Sequence, residues 1–403
     1  MHHMGRKNIF AISLMISAFA LSGSVVSAQD YKALHQNAVV VDTHNDVLIA
    51  VMDGLRLEND LRGKTHSDLA RFKQGGVDVQ IFSVWSDETY GKGRGFAYAN
   101  RQIDSLYAIA NRNPDKLVIA KTPEDLTKAV QEQKLAAMIG VEGGHMIEAN
   151  LDYLNELYQR GARYLTLTWN NSTSWATSAM DESSGKMPAN KKGLNNFGKQ
   201  VVKKMNELGM MVDLSHVGER TFWDAMAITS KPVIVSHSCV HQLNPHFRNL
   251  TDEQIKAIGK NGGVIHLNFF SGFLDKDFDR RQEQFNARHK AEIDSLKQKN
   301  WSMGSIRSKL ASKYPQEAAE LRPPLSVLLD HLDHIVQLVG TDHVGLGSDF
   351  DGITSTPRQL DSVADMPLVT RELLNRGYSQ KDIEKILGGN FIRIFKENQA
   401  SKI

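Results

Sequence analysis

The chain is poor in the features that would give its function away cheaply. Cys239 is the only cysteine in 403 residues, which excludes an internal disulfide and any site built from several thiolates. Charge of one sign is also missing: 48 basic and 46 acidic side chains leave a net +2, so nothing advertises nucleic acid or a membrane surface as a partner. No Pro/Gly/Ser-rich linker divides the chain after its first thirty residues, and we read one domain over 29–403. Long apolar runs are absent too, with one exception. Arg6 and Lys7 precede Ile9–Leu21, thirteen apolar-biased residues, where a membrane span needs about 20. Val26-Ser27-Ala28 then fits a small-x-small cleavage site, so residues 1–28 read as an export signal and the mature chain begins near Gln29. No cysteine lies near that point for lipidation. The expected product is exported, periplasmic or secreted if the source is bacterial, with no membrane span after cleavage.

What the chain does have is a repeated unit: a short apolar run, a polar ending, then an amphipathic stretch. The runs cover 38–44, 77–85, 136–144, 163–169, 210–216, 232–238, 263–269 and 343–352. Helical patterns such as 100–112, 151–161, 195–209 and 251–263 lie between them, the last with Thr251 as N-cap and acidic residues in its first turn. Eight strand–helix repeats predict a parallel sheet with crossovers, closed as a TIM (β/α)8 barrel. One interval is too long. Residues 271–322 are highly charged and read as a helical excursion between strands seven and eight, either a lid, an interface or an inert insertion.

The polar endings carry the chemistry, because barrel sites form at the C-terminal ends of strands. In "VVVDTHND" (39–46), His44 and Asp46 are two apart, so on a strand both would face the barrel mouth. Other runs end in Glu142, His216, His237 and Asp349. One such histidine would usually be a hydrogen-bonded structural residue. Five or six ionisable endings buried together without a cation would be very costly. Histidines with carboxylates and no thiol suit Zn²⁺ first, with Mn²⁺ or Co²⁺ as alternatives. The set is too large for one open catalytic zinc, so two metals about 3.5–4 Å apart use it better, with Glu142 as the natural bridge.

The segments "DTHND" (42–46), "GVEGGH" (140–145), "YLTLTWNNSTSWA" (164–176), "DLSHV" (213–217), "SHS" (236–238), "FRNLTDE" (247–253) and "GLGSDFDG" (345–352) together resemble the membrane dipeptidase (renal dipeptidase) family of zinc peptidases. They span nearly the whole mature chain in the family's order. The resemblance implies that His44 and Asp46 hold one zinc, His216 and His237 the other, and that Glu142 bridges them. It further implies a hydroxide between the metals as nucleophile, Asp349 as general base and then acid, and Arg248 as the partner of the substrate's C-terminal carboxylate. The substrates implied are small dipeptides, including some with a C-terminal D-residue, and family members are often homodimers. One position departs. Where the family commonly has histidine after "TLT", this chain has Trp169, whose indole offers a single N–H and cannot titrate. Trp169 is either a substrate contact or only a pocket wall. Rival readings are another metal-dependent amidohydrolase, such as an N-acyl amino acid deacylase or a lactonase, and a non-catalytic metal- or peptide-binding protein.

Overall fold

The computed structural model describes residues 30–87, 93–301 and 303–399. The expected leader at 1–28 lies outside them. Nine parallel strands form one sheet: β1 (Val41–Asn45), β2 (Val79–Trp85), β3 (Leu117–Ile119), β4 (Leu135–Glu142), β5 (Ala162–Thr166), β6 (Met211–Asp213), β7 (Ile234–Ser238), β8 (Val264–Leu267) and β9 (Val344–Leu346). Eight run in the order β1-β2-β4-β5-β6-β7-β8-β9. The segment after β9 returns to β1, where Asp349 N–H donates to His44 O (3.1 Å) and Asp46 N–H to Phe350 O (2.9 Å). The eight runs read from the sequence are the eight staves of a TIM barrel.

The ninth strand, β3, was not expected. It pairs with Leu135–Ala137 of β4, on the edge that β5 takes over from Ile139 onward. Three residues carry too little pattern to stand out as a strand.

Alternation along the staves divides two cores. Val79, Ile81, Ala136, Met138, Tyr164, Met211, Ile234 and Val264 pack inside with Phe391, Ile394 and Phe395 of the C-terminal helix. Phe82, Val84, Ala137, Ile139 and Val141 face outward into the layer beneath the helices. This is the period of two expected for strands covered on both faces. The helix Asp252–Asn261 begins at Thr251 in a capping box with Gln254, as its sequence predicts.

After β8 come the helices Ser271–Leu274, Phe278–Arg288, Lys290–Gln298, Met303–Lys313 and Pro315–Leu321. They are the helical excursion. Phe285, Ile293, Leu296, Ile306 and Leu310 give it a small core of its own. The helix Leu325–Val339 then makes the crossover to β9. Among the described residues no helix is long and apolar enough to cross a membrane.

Candidate metal centre

His44, Asp46, Glu142, His216, His237 and Asp349 meet at one end of the barrel, and each arrives differently. Glu142 is the last residue of β4 and follows the inward alternation of Met138. Strict alternation from Val41 and Ile234 would turn His44 and His237 outward. The pairing registers of β1 and β7 shift at these residues, between Asp42 and Asn45 and between Val235 and Ser238. Such local irregularities re-aim a side chain, and both imidazoles reach inward. His44 and Asp46 thus come together through this register shift and not through strand alternation alone. Asp46 lies just past β1 at the N-cap position of the helix Val47–Met52, and its side chain makes no capping hydrogen bond.

His216 and Asp349 each lie three residues beyond their strands, at φ 64° and 60°. That left-handed conformation is strained for a side-chain-bearing residue and is held only where surrounding bonds enforce it. Thr168 Oγ1 donates to His216 O, and Asp349 N–H closes the barrel onto His44 O. Gly352 lies against the carboxylates of Asp46 and Asp349; a Cβ there would fall 2.2 Å from Asp46 Oδ2 and 2.5 Å from Asp349 Oδ1.

The hydrogen bonds behind the imidazoles decide their tautomers. Tyr164 O–H donates to Thr43 O (3.0 Å), so its oxygen accepts from His44 Nδ1–H (2.9 Å). Asn170 Oδ1 can only accept, and it lies 3.0 Å from His216 Nδ1. Ser236 Oγ donates to Asp213 Oδ2 (2.7 Å) and accepts from His237 Nδ1–H (2.8 Å). All three rings thus present a bare Nε2 to the centre. His44 Nε2 lies 3.4 Å from both Glu142 Oε2 and Asp46 Oδ2. Glu142 Oε1 lies 2.8 Å from His216 Nε2 and 3.3 Å from His237 Nε2. Glu142 therefore offers one oxygen to each half of the cluster.

Electrostatics agree with this layout. Burial pushes His44 down, yet Tyr164, Glu142 and Asp46 pull it well above its usual range, so the spot between them favours positive charge. Burial, reinforced by the Arg248 charge, depresses His216 to about 4. Burial also holds His237 well below its usual value. These two rings are neutral, and their Nε2 lone pairs face each other at 2.9 Å. A proton on His44 would not relieve that contact. His44 Nε2 and Asp46 Oδ1 are also buried without a hydrogen-bond partner. The donor set fits divalent metal: neutral imidazoles and carboxylates, each braced from behind.

Arg248 is buried beside the cluster. Its terminal nitrogens donate to Ser238 Oγ and His237 O at 3.2 Å, its Nε has no partner, and no carboxylate of the described residues lies within 4 Å of it. Burial pushes its guanidinium down to about 10. A cavity of about 830 Å³ joins Arg248 to Asp46, Glu142, His216 and Asp349. Trp169 and Trp85, in edge contact with centroids 5.0 Å apart, form one wall with Phe270 and Phe273. Gly304, Ser305 and Arg307 line it as well, so the helical excursion reaches the site.

Several contributors escaped sequence reading: Tyr164, Asn170, Asp213 and Asn268, whose Nδ2 donates to Asp349 Oδ2 at 2.8 Å. Gly140 was the available clue to Tyr164, since a Cβ there would fall 2.0 Å from the phenol ring. Two further histidines, His145 and His266, are buried interior residues. His266 contacts Val235 O within β8, and burial lowers it to about 3. His145 contacts Ser86.

A family model for membrane dipeptidases, peptidase family M19, matches residues 28–402. The chain belongs to this family. An uncharacterized dipeptidase of Schizosaccharomyces pombe is 32% identical to it, over 93% of this chain and 84% of the yeast protein. Dipeptidase 3 of Mus musculus is 30% identical over 91% of this chain and 65% of its own length. Among solved structures, a metallopeptidase from Rhodobacter sphaeroides with a phosphinate mimic of L-Ala-D-Ala superposes with a TM-score of 0.72 at 23% identity. That likeness covers 90% of this chain and 99% of the other. An amidohydrolase from Pseudomonas aeruginosa gives a TM-score of 0.69 at 20% identity, over 92% and 99% of the two chains. The M19 chain is thus a metal-dependent dipeptidase on a TIM barrel, with its candidate metal cluster at the barrel mouth.

Proposed function

We propose that this protein is an exported dizinc dipeptidase that hydrolyses small dipeptides, including ones with a D-residue on the C-terminal side. The observation that carries the dizinc reading is the division of Glu142, one oxygen toward His44 and Asp46 and the other toward His216 and His237. His44 and Asp46 would hold one cation, His216 and His237 the other, and Glu142 both. Zinc is favoured by imidazoles and carboxylates without thiolate, with Mn²⁺ or Co²⁺ able to substitute. Bound there, the metals would supply Lewis acidity toward the scissile carbonyl and toward water.

The remaining work falls to the chain's own side chains. Arg248 receives the C-terminal carboxylate of the dipeptide through its planar fork, which a free carboxylate matches with two bonds. Asp349, steadied through Oδ2 by Asn268, takes the proton from the attacking water and delivers it to the departing amine. Burial and the nearby charges of Asp46 and Glu142 raise its carboxyl well above the ordinary range. Trp169 and Trp85 exclude bulk water along one wall of the cavity. Tolerance of a D-residue draws on the L-Ala-D-Ala mimic bound by the Rhodobacter sphaeroides relative.

One combined experiment tests the reading: elemental analysis of the purified protein beside turnover of Ala-Ala, Ala-D-Ala and N-acetyl-alanine. Two zinc equivalents with hydrolysis of both dipeptides are expected. Preference for the acetylated amino acid would instead favour a deacylase, and metal-loaded protein that binds dipeptides without turnover would favour a binding role. N-terminal sequencing of protein exported by a bacterial host should begin near Gln29.

A further inference from the structure

The helical excursion carries five arginines, and four of them are matched to carboxylates: Arg280 to Asp277, Arg281 to Asp275, Arg288 to Glu317 and Arg322 to Asp361. Arg307 is the exception. It lies on the helix Met303–Lys313 and lines the same 830 Å³ cavity as the metal cluster and Arg248. Its Nε is buried without a hydrogen-bond partner, and no carboxylate of the described residues lies within 4 Å of its guanidinium. Arg307 is half-buried, and an Nε N–H withdrawn from water without an acceptor is costly to keep. Its neighbours on the excursion demonstrate that carboxylates were available to this segment.

The charges lining the cavity sharpen the point. Its acidic members among the described residues are Asp46, Glu142, Asp349 and Asp351; Asp351 accepts the His66 backbone N–H through Oδ1 at 2.6 Å, and its Oδ2 has no partner. Among the described residues, Arg248 and Arg307 are its only arginines and no lysine lines it. A dipeptide brings one terminal carboxylate, which Arg248 receives in the reading above. Among the described residues no carboxylate pairs with this second guanidinium, and a second anion on the substrate would.

We propose that Arg307 is a specificity-determining residue that binds the side-chain carboxylate of an acidic dipeptide, so that the preferred substrates contain aspartate or glutamate. The proposal rests on the dipeptidase reading and deepens it. It also gives the excursion a use: it delivers a selective charge to a chamber whose metal site the barrel builds alone.

The test compares kcat/KM for Ala-Glu with Ala-Gln, its neutral isostere, and for Glu-Ala with Gln-Ala. The ratio within each protein cancels any general loss of activity, and a thermal midpoint for each variant reports folding. The wild-type enzyme should favour the acid over the amide by tenfold or more in at least one position. Arg307→Gln should bring that ratio to within about twofold of unity, Arg307→Lys should keep part of it, and Arg307→Glu should turn preference toward Ala-Lys or Lys-Ala. A wild-type ratio near one, with brisk hydrolysis of Ala-Ala, overturns the assignment of Arg307 and leaves the dipeptidase reading standing. A strong acid preference unchanged in folded Arg307→Gln overturns it equally. Failure of the metal-loaded protein to cleave any of these peptides overturns both.

Discussion

The Nε2 atoms of His216 and His237 lie 2.9 Å apart with both lone pairs turned toward each other. Asn170 and Ser236 have taken the two Nδ1 protons, so neither ring can donate across the gap. A metal cation bound by both nitrogens would reconcile them. Metal removal should therefore unsettle the fold as well as the chemistry. Exhaustive chelation should abolish dipeptide hydrolysis and lower the thermal midpoint by about 3 °C or more, since saturating a site at 100 times its Kd stabilises by about 2.7 kcal/mol. Readdition of Zn²⁺ should restore both. An unchanged midpoint in protein verified to be metal-free would mean that the cluster is self-sufficient.

Tyr164 has no place in the chemistry yet fixes how His44 can act. Its hydroxyl donates to Thr43 O and receives His44 Nδ1–H, which leaves Nε2 bare. Tyr164→Phe removes that receiver without changing ring volume. Metal affinity should fall about 10–100-fold, as is usual when the group behind a ligating histidine is lost. Competition against a chelator of known strength measures this. Equal affinity in the two proteins would show that His44 does not depend on Tyr164 for its tautomer.

Tyr164 also marks the limit of what the sequence makes legible. His44, Glu142, His216, His237 and Asp349 can be found because each follows an apolar run that must be buried, and a charged group in that position is conspicuous. The barrel follows from the same runs. Tyr164, Asn170 and Asp213 are ordinary residues whose roles exist only through proximity: the phenol and the imidazole it orients are 120 positions apart. The left-handed backbone at His216 and Asp349 leaves no mark in residue type, because glycine, the usual signal for positive φ, is absent there. The excursion at 271–322 is recognisable by its charge. Its contact with the cavity depends on how its helices fold back, and composition carries no record of that.

Asp349 is held by Asn268 at one oxygen and lies beside Asp46 and Glu142, whose charges help hold its proton. Asp349→Asn preserves shape and the capacity to accept from Asn268, but it cannot take up a proton from water. We expect kcat/KM for Ala-Ala to fall by about 10²–10⁴-fold, the usual worth of a positioned acid–base group. Metal content should be unchanged. Because His44, Asp46 and Asp349 also bring donor atoms together closely enough to share an ion, loss of one metal equivalent in the variant would reassign Asp349 as a ligand.

Arg248 separates recognition of a carboxylate from general packing. Lysine retains the charge and loses the planar pair of donors. Arg248→Lys should reduce kcat/KM for Ala-Ala by about 10–100-fold, chiefly through KM, as expected for a bidentate site given a point charge. Ala-alaninamide, which lacks the carboxylate, should be hydrolysed poorly and equally by both proteins. A parallel loss on the amide would mean that the substitution disturbed the His237 carbonyl that Arg248 also holds.

His331 provides a pH test away from the metal centre. On the crossover helix Leu325–Val339, it accepts from Val240 N–H through Nδ1 at 3.0 Å and donates to Leu274 O through Nε2 at 2.9 Å. Protonation would set one N–H against another, and burial accordingly lowers its pKa to about 4. The folded value lies below the unfolded 6.5, so the unfolded chain binds the proton first as pH falls. The stability it contributes is therefore complete above about 6.5 and lost progressively toward 4. At pH 5 the loss comes to about 2 kcal/mol. His331→Gln keeps one acceptor and one donor but does not titrate. Urea unfolding at pH 7.5 and pH 5 should show the wild-type protein losing about 2 kcal/mol more than the variant across that interval. The titrations of His266 and the metal cluster are common to both proteins and cancel in the difference, so parallel losses would mean that His331 is not kept neutral by its two backbone partners.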